Sequence, residues 1–244
     1  MNPGALKHLG ACLIAAASTA CGVAGGAPRT VPATRPLTPI TTFADSFVSV
    51  LHARYGTDTG WVSERFEATA TGYRLIEDFQ LTPAAYRTAT VFFAPDLTVD
   101  SVRGIGRRGA LVIDYAVSYV GRRASGWTSA GGADPSRRIA VDAVLPDSAV
   151  DAVAQVAILP TLPWAVGMKR TLLAFDPTVG GTQTQLLSVL DEEQVTVPAG
   201  TFDAYRAEVR QPDFVQIVWY TRSVPHRFVK AAGATGNWSW ELVH

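Results

Sequence analysis

Cys21 is the residue of this 244-residue chain whose type and setting point most directly to chemistry. Three small residues, Ser18-Thr19-Ala20, stand before it, preceded by an apolar run from Leu9 to Ala17 and a short basic start at Lys7 and His8. These are the three parts of a secretory signal peptide, and the run is too short to hold a helix across a bilayer. The other cysteine, Cys12, lies inside the stretch that cleavage removes. The mature chain is therefore expected to carry one thiol at its own terminus and no internal disulfide, which leaves the fold to its core. A terminal cysteine of that kind is an acyl attachment point.

The remaining candidates for chemistry are weaker. Gly104-Ile105-Gly106-Arg107-Arg108-Gly109 spells G-x-G-x-x-G, but phosphate binding needs a helix after it and an acid about 20 residues on. A strand pattern follows, and residues 127 to 131 contain no acid, so a glycine-rich hairpin turn with two solvated arginines is expected. His52, His226 and His244 have no i, i+3 or i, i+4 partner, and metal sites need converging ligands. Asp191-Glu192-Glu193 is expected as the solvated start of a strand. No G-x-S-x-G elbow is present. These features imply no metal, no cofactor and no enzyme. Six tryptophans stand at positions 61, 127, 164, 219, 238 and 240. Rings of this kind fill cores, and Trp164 and Trp219 are the two considered as the lining of an apolar ligand cavity.

Charge and composition set the frame for these residues. Lys and Arg number 21 against 21 Asp and Glu; losing residues 1–20 removes only Lys7, leaving 20 against 21. A chain so neutral lacks the electrostatic footprint of a nucleic-acid binder. Charged residues at 17% beside 48% hydrophobic ones exclude a solvating, disordered chain. Gly22 to Ile40 holds three glycines and four prolines among small residues, the composition of a semi-extended linker. A signal peptide over 1–20, a lipidated cysteine with linker over 21–40 and a single domain over 41–244 follow.

Within that domain the period is two. Leu111, Ile113, Tyr115, Val117 and Tyr119 alternate along one run, Tyr205, Ala207 and Val209 along another, and Val215, Ile217 and Trp219 along a third. Short turn signals such as Gly56-Thr57-Asp58 and Pro198-Ala199-Gly200 separate the runs, which argues a mainly β, antiparallel architecture without βαβ crossovers. One segment differs. Val150, Val153, Ala154, Ala157 and Ile158 fall at helical spacing between Pro146 and Pro160, with Asp147 or Ser148 to cap and Asp151 in the first turn. A helix over Ser148–Leu159 is expected there, its apolar face, Val153 and Ala157 included, laid on the concave side of the sheet, where it fills or gates a cavity.

Two resemblances add to this. The end of the leader resembles the lipobox of bacterial lipoproteins, with Ser18 where that motif usually has Leu. It implies lipidation of Cys21, and Gly22 in place of Asp implies sorting to the outer membrane. The stretch from Val195 to Arg206, with Trp219-Tyr220, Val224-Pro225 and Val229-Lys230 after it, resembles the V-x-V-P-A-G-T-F-x-x-Y-R signature of an uncharacterised bacterial envelope family. That family is similar in architecture to the lipoprotein-localisation factors LolA and LolB. The resemblance implies a strongly bent antiparallel sheet, an incomplete barrel with helical cover, that binds an acyl chain or a hydrophobic envelope partner. Three readings follow for function. They are a non-enzymatic envelope lipoprotein binding a lipid-like or lipoprotein ligand, a scaffold with a solid core, and a hydrolase with an unrecognised site.

Overall fold

The structure, a computed structural model, describes residues 46–244 except 130, 131, 133 and 135. The leader, Cys21, the linker and the domain start near Thr41 lie outside the described residues. Period-two patterning produces strands almost throughout. β1 (Phe47–Tyr55), β2 (Asp58–Thr69), β3 (Gly72–Thr82), β4 (Ala85–Phe93), β5 (Val99–Arg108), β6 (Leu111–Val120), β7 (Arg123–Thr128) and β8 (Ile139–Val144) form one antiparallel meander. β9 (Ala149–Asp151), β10 (Lys169–Asp176), β11 (Gly181–Val197), β12 (Gly200–Gln211), β13 (Phe214–Thr221), β14 (Phe228–Gly233) and β15 (Trp238–Leu242) form a second, and β15 closes back on β1. Together they make one bent sheet, in which only β9 and β10 run parallel. Its edges, β8 and β9, do not pair, so the barrel stays incomplete. Side chains and turns draw the edges together. Thr128 Oγ1 donates to the Thr178 carbonyl at 2.5 Å, and the Tyr119 hydroxyl donates to Asp151. Among the described residues no helix is long and apolar enough to cross a membrane.

The cover is shorter than its periodicity predicts. Ala149–Asp151 is a strand paired with Leu173–Phe175, and only Gln155–Ile158 is α-helical (α1), continued by a 3₁₀ turn over Leu159–Thr161. The competing interaction is a backbone ladder to β10, which offers Val150 and Asp151 partners that an isolated helical turn cannot. No side chain caps α1, neither Asp147 nor Ser148, and Asp151 instead ties the turn that leads into it. Its Oδ1 accepts the Val153 and Ala154 amides at 2.8 and 3.2 Å, and its Oδ2 accepts the Tyr119 hydroxyl. Val153, Ala154 and Ala157 are fully buried, so the apolar face does cover the sheet.

The alternation in β13 faces the other way from its sequence reading. Gln216, Val218 and Tyr220 point inward, and Val215, Ile217 and Trp219 outward. Register decides this. Val218 lies opposite the inward Ala207 and Gln216 opposite the inward Val209, and facing residues in a ladder share a side. The same register places Asp191-Glu192-Glu193 in the middle of β11, not at a strand start. There Arg206 holds Asp191 through two bonds of 2.8 and 2.5 Å, and Arg222 approaches Glu192 at 3.1 Å. The Arg206 guanidinium keeps the Asp191 carboxyl below the usual carboxylate range.

The glycine-rich run is likewise strand rather than turn. The reversal is confined to Gly109-Ala110, and Arg107 is exposed while Arg108 is half-buried. Gly104 lies opposite Tyr115, whose ring occupies the space a side chain would need: a Cβ at 104 would sit 2.2 Å from Tyr115 Cζ. The Pro198-Ala199 turn behaves as its residue types require, with Val197 facing Gly200 and the Ala199 amide tied to the Leu242 carbonyl at 3.0 Å. Gly200 has φ +133°, a region β-branched residues avoid. Replacing Gly200 by Val is expected to destabilise the domain by roughly 1–3 kcal/mol. An unchanged urea midpoint would refute the strain.

Candidate functional site

Two inward-pointing glutamates break the apolar lining of the sheet. Along β2, Val62, Glu64 and Phe66 share the buried side, and along β3 Leu75 and Glu77 do. Pairing sets them in one row, with Ser49 of β1 facing Glu64 and Glu64 facing Glu77. Glu64 is 1% exposed and Glu77 fully buried. Arg87, two residues before Ala89 on β4, reaches over and pairs with Glu77. Among the described residues Glu64 has no such partner, and its Oε1 makes no hydrogen bond. Burial, and secondly the charge of Glu77, push its pKa up to about 8, so the carboxyl is protonated at neutral pH.

Glu64 forms part of the wall of a cavity of about 300 Å³. The start of β1 contributes Phe47 and Ser49, the cover contributes Val156 and Pro160, and the segment between β13 and β14 contributes His226 and Phe228. Each wall is fixed from behind. Phe47 stacks on Phe66 at 5.5 Å. Trp164 donates from Nε1 to the Leu159 carbonyl at 2.9 Å and stacks on Tyr220 at 4.5 Å, which pins the 3₁₀ turn to the sheet. His226 lies edge-on to Trp164 and Tyr205, and its Nδ1 donates to the Thr221 carbonyl at 2.7 Å. A carbonyl only accepts, so Nδ1 carries the proton of this bond.

Of the residues considered from the sequence, Val153, Ala157 and Trp164 come together in the buried cover and its support, behind the cavity wall that Val156 forms. Trp219 does not join them. It lies on the outer face, where its Nε1 donates to Glu193 at 2.5 Å and Lys230 stands 5.7 Å over its ring. Its own strand's register puts it there, one residue out of phase with Tyr220. Ser49, Glu64 and His226 were missed. The signal was present for the glutamates: each is a charge in phase with a buried apolar set.

Two other concavities carry less chemistry. One, about 840 Å³, lies along the β12–β13 and β14–β15 turns by Phe214 and Trp238 and has no buried ionisable group in its lining. A third, about 320 Å³, adjoins Tyr119 and Asp151. Burial pushes Asp151 up to about 6, but both its oxygens are engaged in tying the cover.

No protein-family model matches the chain, and no curated protein does. Among solved structures, the fold is similar to a β-barrel-like protein of domain of unknown function DUF1849 from Brucella abortus, with TM-score 0.56 and 10% identity over 83% of this chain and 96% of that one. A "putative lipoprotein" from Parabacteroides distasonis aligns over the same shares at 12% identity, with TM-score 0.28. What the chain shares with the Brucella protein is its architecture, a bent and barrel-like antiparallel sheet.

Proposed function

We propose that this domain is a non-enzymatic binding module of the cell envelope, held to the outer membrane by acylated Cys21, that takes a small, largely apolar ligand. The carrying observation is the 300 Å³ cavity between β1, β2 and the cover, apolar on most walls and ending on one unpartnered buried carboxyl, Glu64. Its volume is at the lower end of small-molecule sites, and concave apolar walls with few polar groups are their usual form. A lipid-like or lipoprotein ligand remains the class that the apolar walls and the envelope-family signature favour. Elsewhere the interior is filled by Phe66, Leu75, Trp240 and Tyr220, so one end of the sheet binds while the remainder serves as a packed support. That filled interior is also what favours the scaffold reading.

Ser49 and His226 share the cavity with Glu64, the convergence a hydrolase would need. Nucleophilic catalysis requires the base to be hydrogen-bonded to the hydroxyl and oriented by a third group. Among the described residues Ser49 Oγ makes no such bond, and His226 Nδ1 faces a backbone carbonyl. This favours binding over hydrolysis.

Native mass spectrometry of the membrane-extracted protein tests the binding. A small apolar adduct is expected on the wild type and is lost from Val156→Phe, whose ring grows into the cavity with the fold retained. A wild type free of adduct and indifferent to added apolar probes would leave the scaffold reading in its place. The anchor is tested separately. Labelled palmitate is expected to enter the wild type and not Cys21→Ser, which is released from membranes; wild-type protein without label would sink the lipoprotein assignment.

A further inference from the structure

The geometry points to a ligand that carries a protonated amine, held by the Glu64 carboxyl at the end of the apolar cavity. This rests on the cavity being a binding site and names the chemistry that site selects. Three observations carry it. First, Glu64 of the cavity wall faces the buried Glu77 across the β2–β3 pair, and among the described residues Arg87 is the one guanidinium or ammonium buried beside them; it pairs with Glu77. With both carboxylates ionised the cluster is one positive charge short. Second, the oxygen of the cavity wall left without a hydrogen bond, Glu64 Oε1, is an acceptor, as is Glu77 Oε2 across the ladder from it. An ammonium supplies three donors and the missing charge in one group. An anionic ligand would put a third negative group against the two already there. Third, the walls around the carboxyl are Phe47, Phe228, Val156 and Pro160, which suit a short hydrocarbon body.

The groups facing Glu64 all bear on its charge. Ser49 of β1 is neutral, Glu77 of β3 disfavours ionisation, and Tyr220 of β13 keeps its proton because burial and Glu64 both push its pKa up. From the β13–β14 segment, His226 has its Nδ1 on the Thr221 carbonyl and Arg227 stands exposed at the rim. Val156 and Pro160 of the cover carry no charge. In the empty site Glu64 therefore holds its proton. An arriving ammonium displaces that proton to solvent, and the carboxylate and ammonium form an ion pair inside low-dielectric walls.

Calorimetric titration of the membrane-extracted full chain with n-butylammonium, n-butanol and butanoate tests this. Butylammonium is expected to bind most tightly. Its affinity should rise at least about tenfold from pH 6 to pH 8, because binding releases the Glu64 proton. The heat should change with buffer ionisation enthalpy in the sense of proton release. Glu64→Gln should lose at least about tenfold of butylammonium affinity and its pH dependence, and keep its affinity for butanol. Butanol or butanoate binding as well as butylammonium, or an amine affinity flat in pH, overturns the amine and leaves the cavity reading standing. If no butyl probe binds at all, both fall. The wild-type pH profile decides the matter even if Glu64→Gln does not fold.

Discussion

Replacing Arg87 by Leu is expected to destabilise the domain by about 3–5 kcal/mol, the cost of stranding one member of a buried ion pair. Arg87 is 6% exposed, and its guanidinium meets the fully buried Glu77. Without it, Glu77 keeps a carboxylate in the interior with no cation beside it, facing the Glu64 carboxyl across the ladder. The pair as a whole contributes far less than the loss of one partner suggests, because taking both charges out of water offsets most of their attraction. The double replacement Arg87→Leu with Glu77→Leu should therefore recover most of the loss. Urea unfolding of the four proteins of this cycle measures the coupling. A single Arg87→Leu within about 0.5 kcal/mol of wild type would mean that Glu77 sheds its charge without Arg87, and that the pair does not hold the row together.

The second large effect is a loss of stability as pH rises. Glu64 holds its proton in the fold up to about pH 8, whereas in the unfolded chain it ionises near 4.5. Between those values the folded state binds more protons than the unfolded one, so each pH unit removes up to about 1.4 kcal/mol, and the whole window removes roughly 3–5 kcal/mol. The stabilisation is complete below about 4.5 and gone above about 8. Asp151 acts in the same direction over a lower window, from 3.8 to about 6, with burial again the first cause. Burial raises Asp176 in the same direction, so the Glu64 share of the slope is the part that Glu64→Gln removes. Glu64→Gln keeps the shape and cannot ionise, so its stability should fall less than that of wild type from pH 6 to pH 8 and should exceed it at pH 8. Urea midpoints at pH 5, 6.5 and 8 check this. A wild-type midpoint that does not fall between pH 6.5 and 8 would show that water reaches Glu64 freely and that the cavity end is not a low-dielectric site.

These two effects share an origin in the placement of Ser49, Glu64, Glu77 and Arg87 on neighbouring strands. They show where inference from the chain stops. Local features were legible because their causes are local. Proline and glycine around Ala199 specify a reversal whatever surrounds them, and Gly200 takes the positive φ its type permits. Period-two runs specify strands, and many of them with tight turns specify an antiparallel sheet, which is the architecture observed.

What required the fold is what depends on a partner strand. β13 is apolar on both sides, so its sequence does not choose between Trp219 and Tyr220 as the inward ring; only the facing Ala207 and Val209 of β12 do. Val150 and Asp151 have helical spacing, yet a backbone ladder to Leu173–Phe175 outcompetes a helical turn that would otherwise stand alone. Glu64 and Glu77 are separated by thirteen positions in the chain and meet because the β2–β3 hairpin sets them opposite one another. Their charges could be seen in phase with buried residues. Their proximity, the reach of Arg87 and the cavity under the cover arise from register, which one residue of slip would reverse, and that is a property of paired strands and not of any single stretch of sequence.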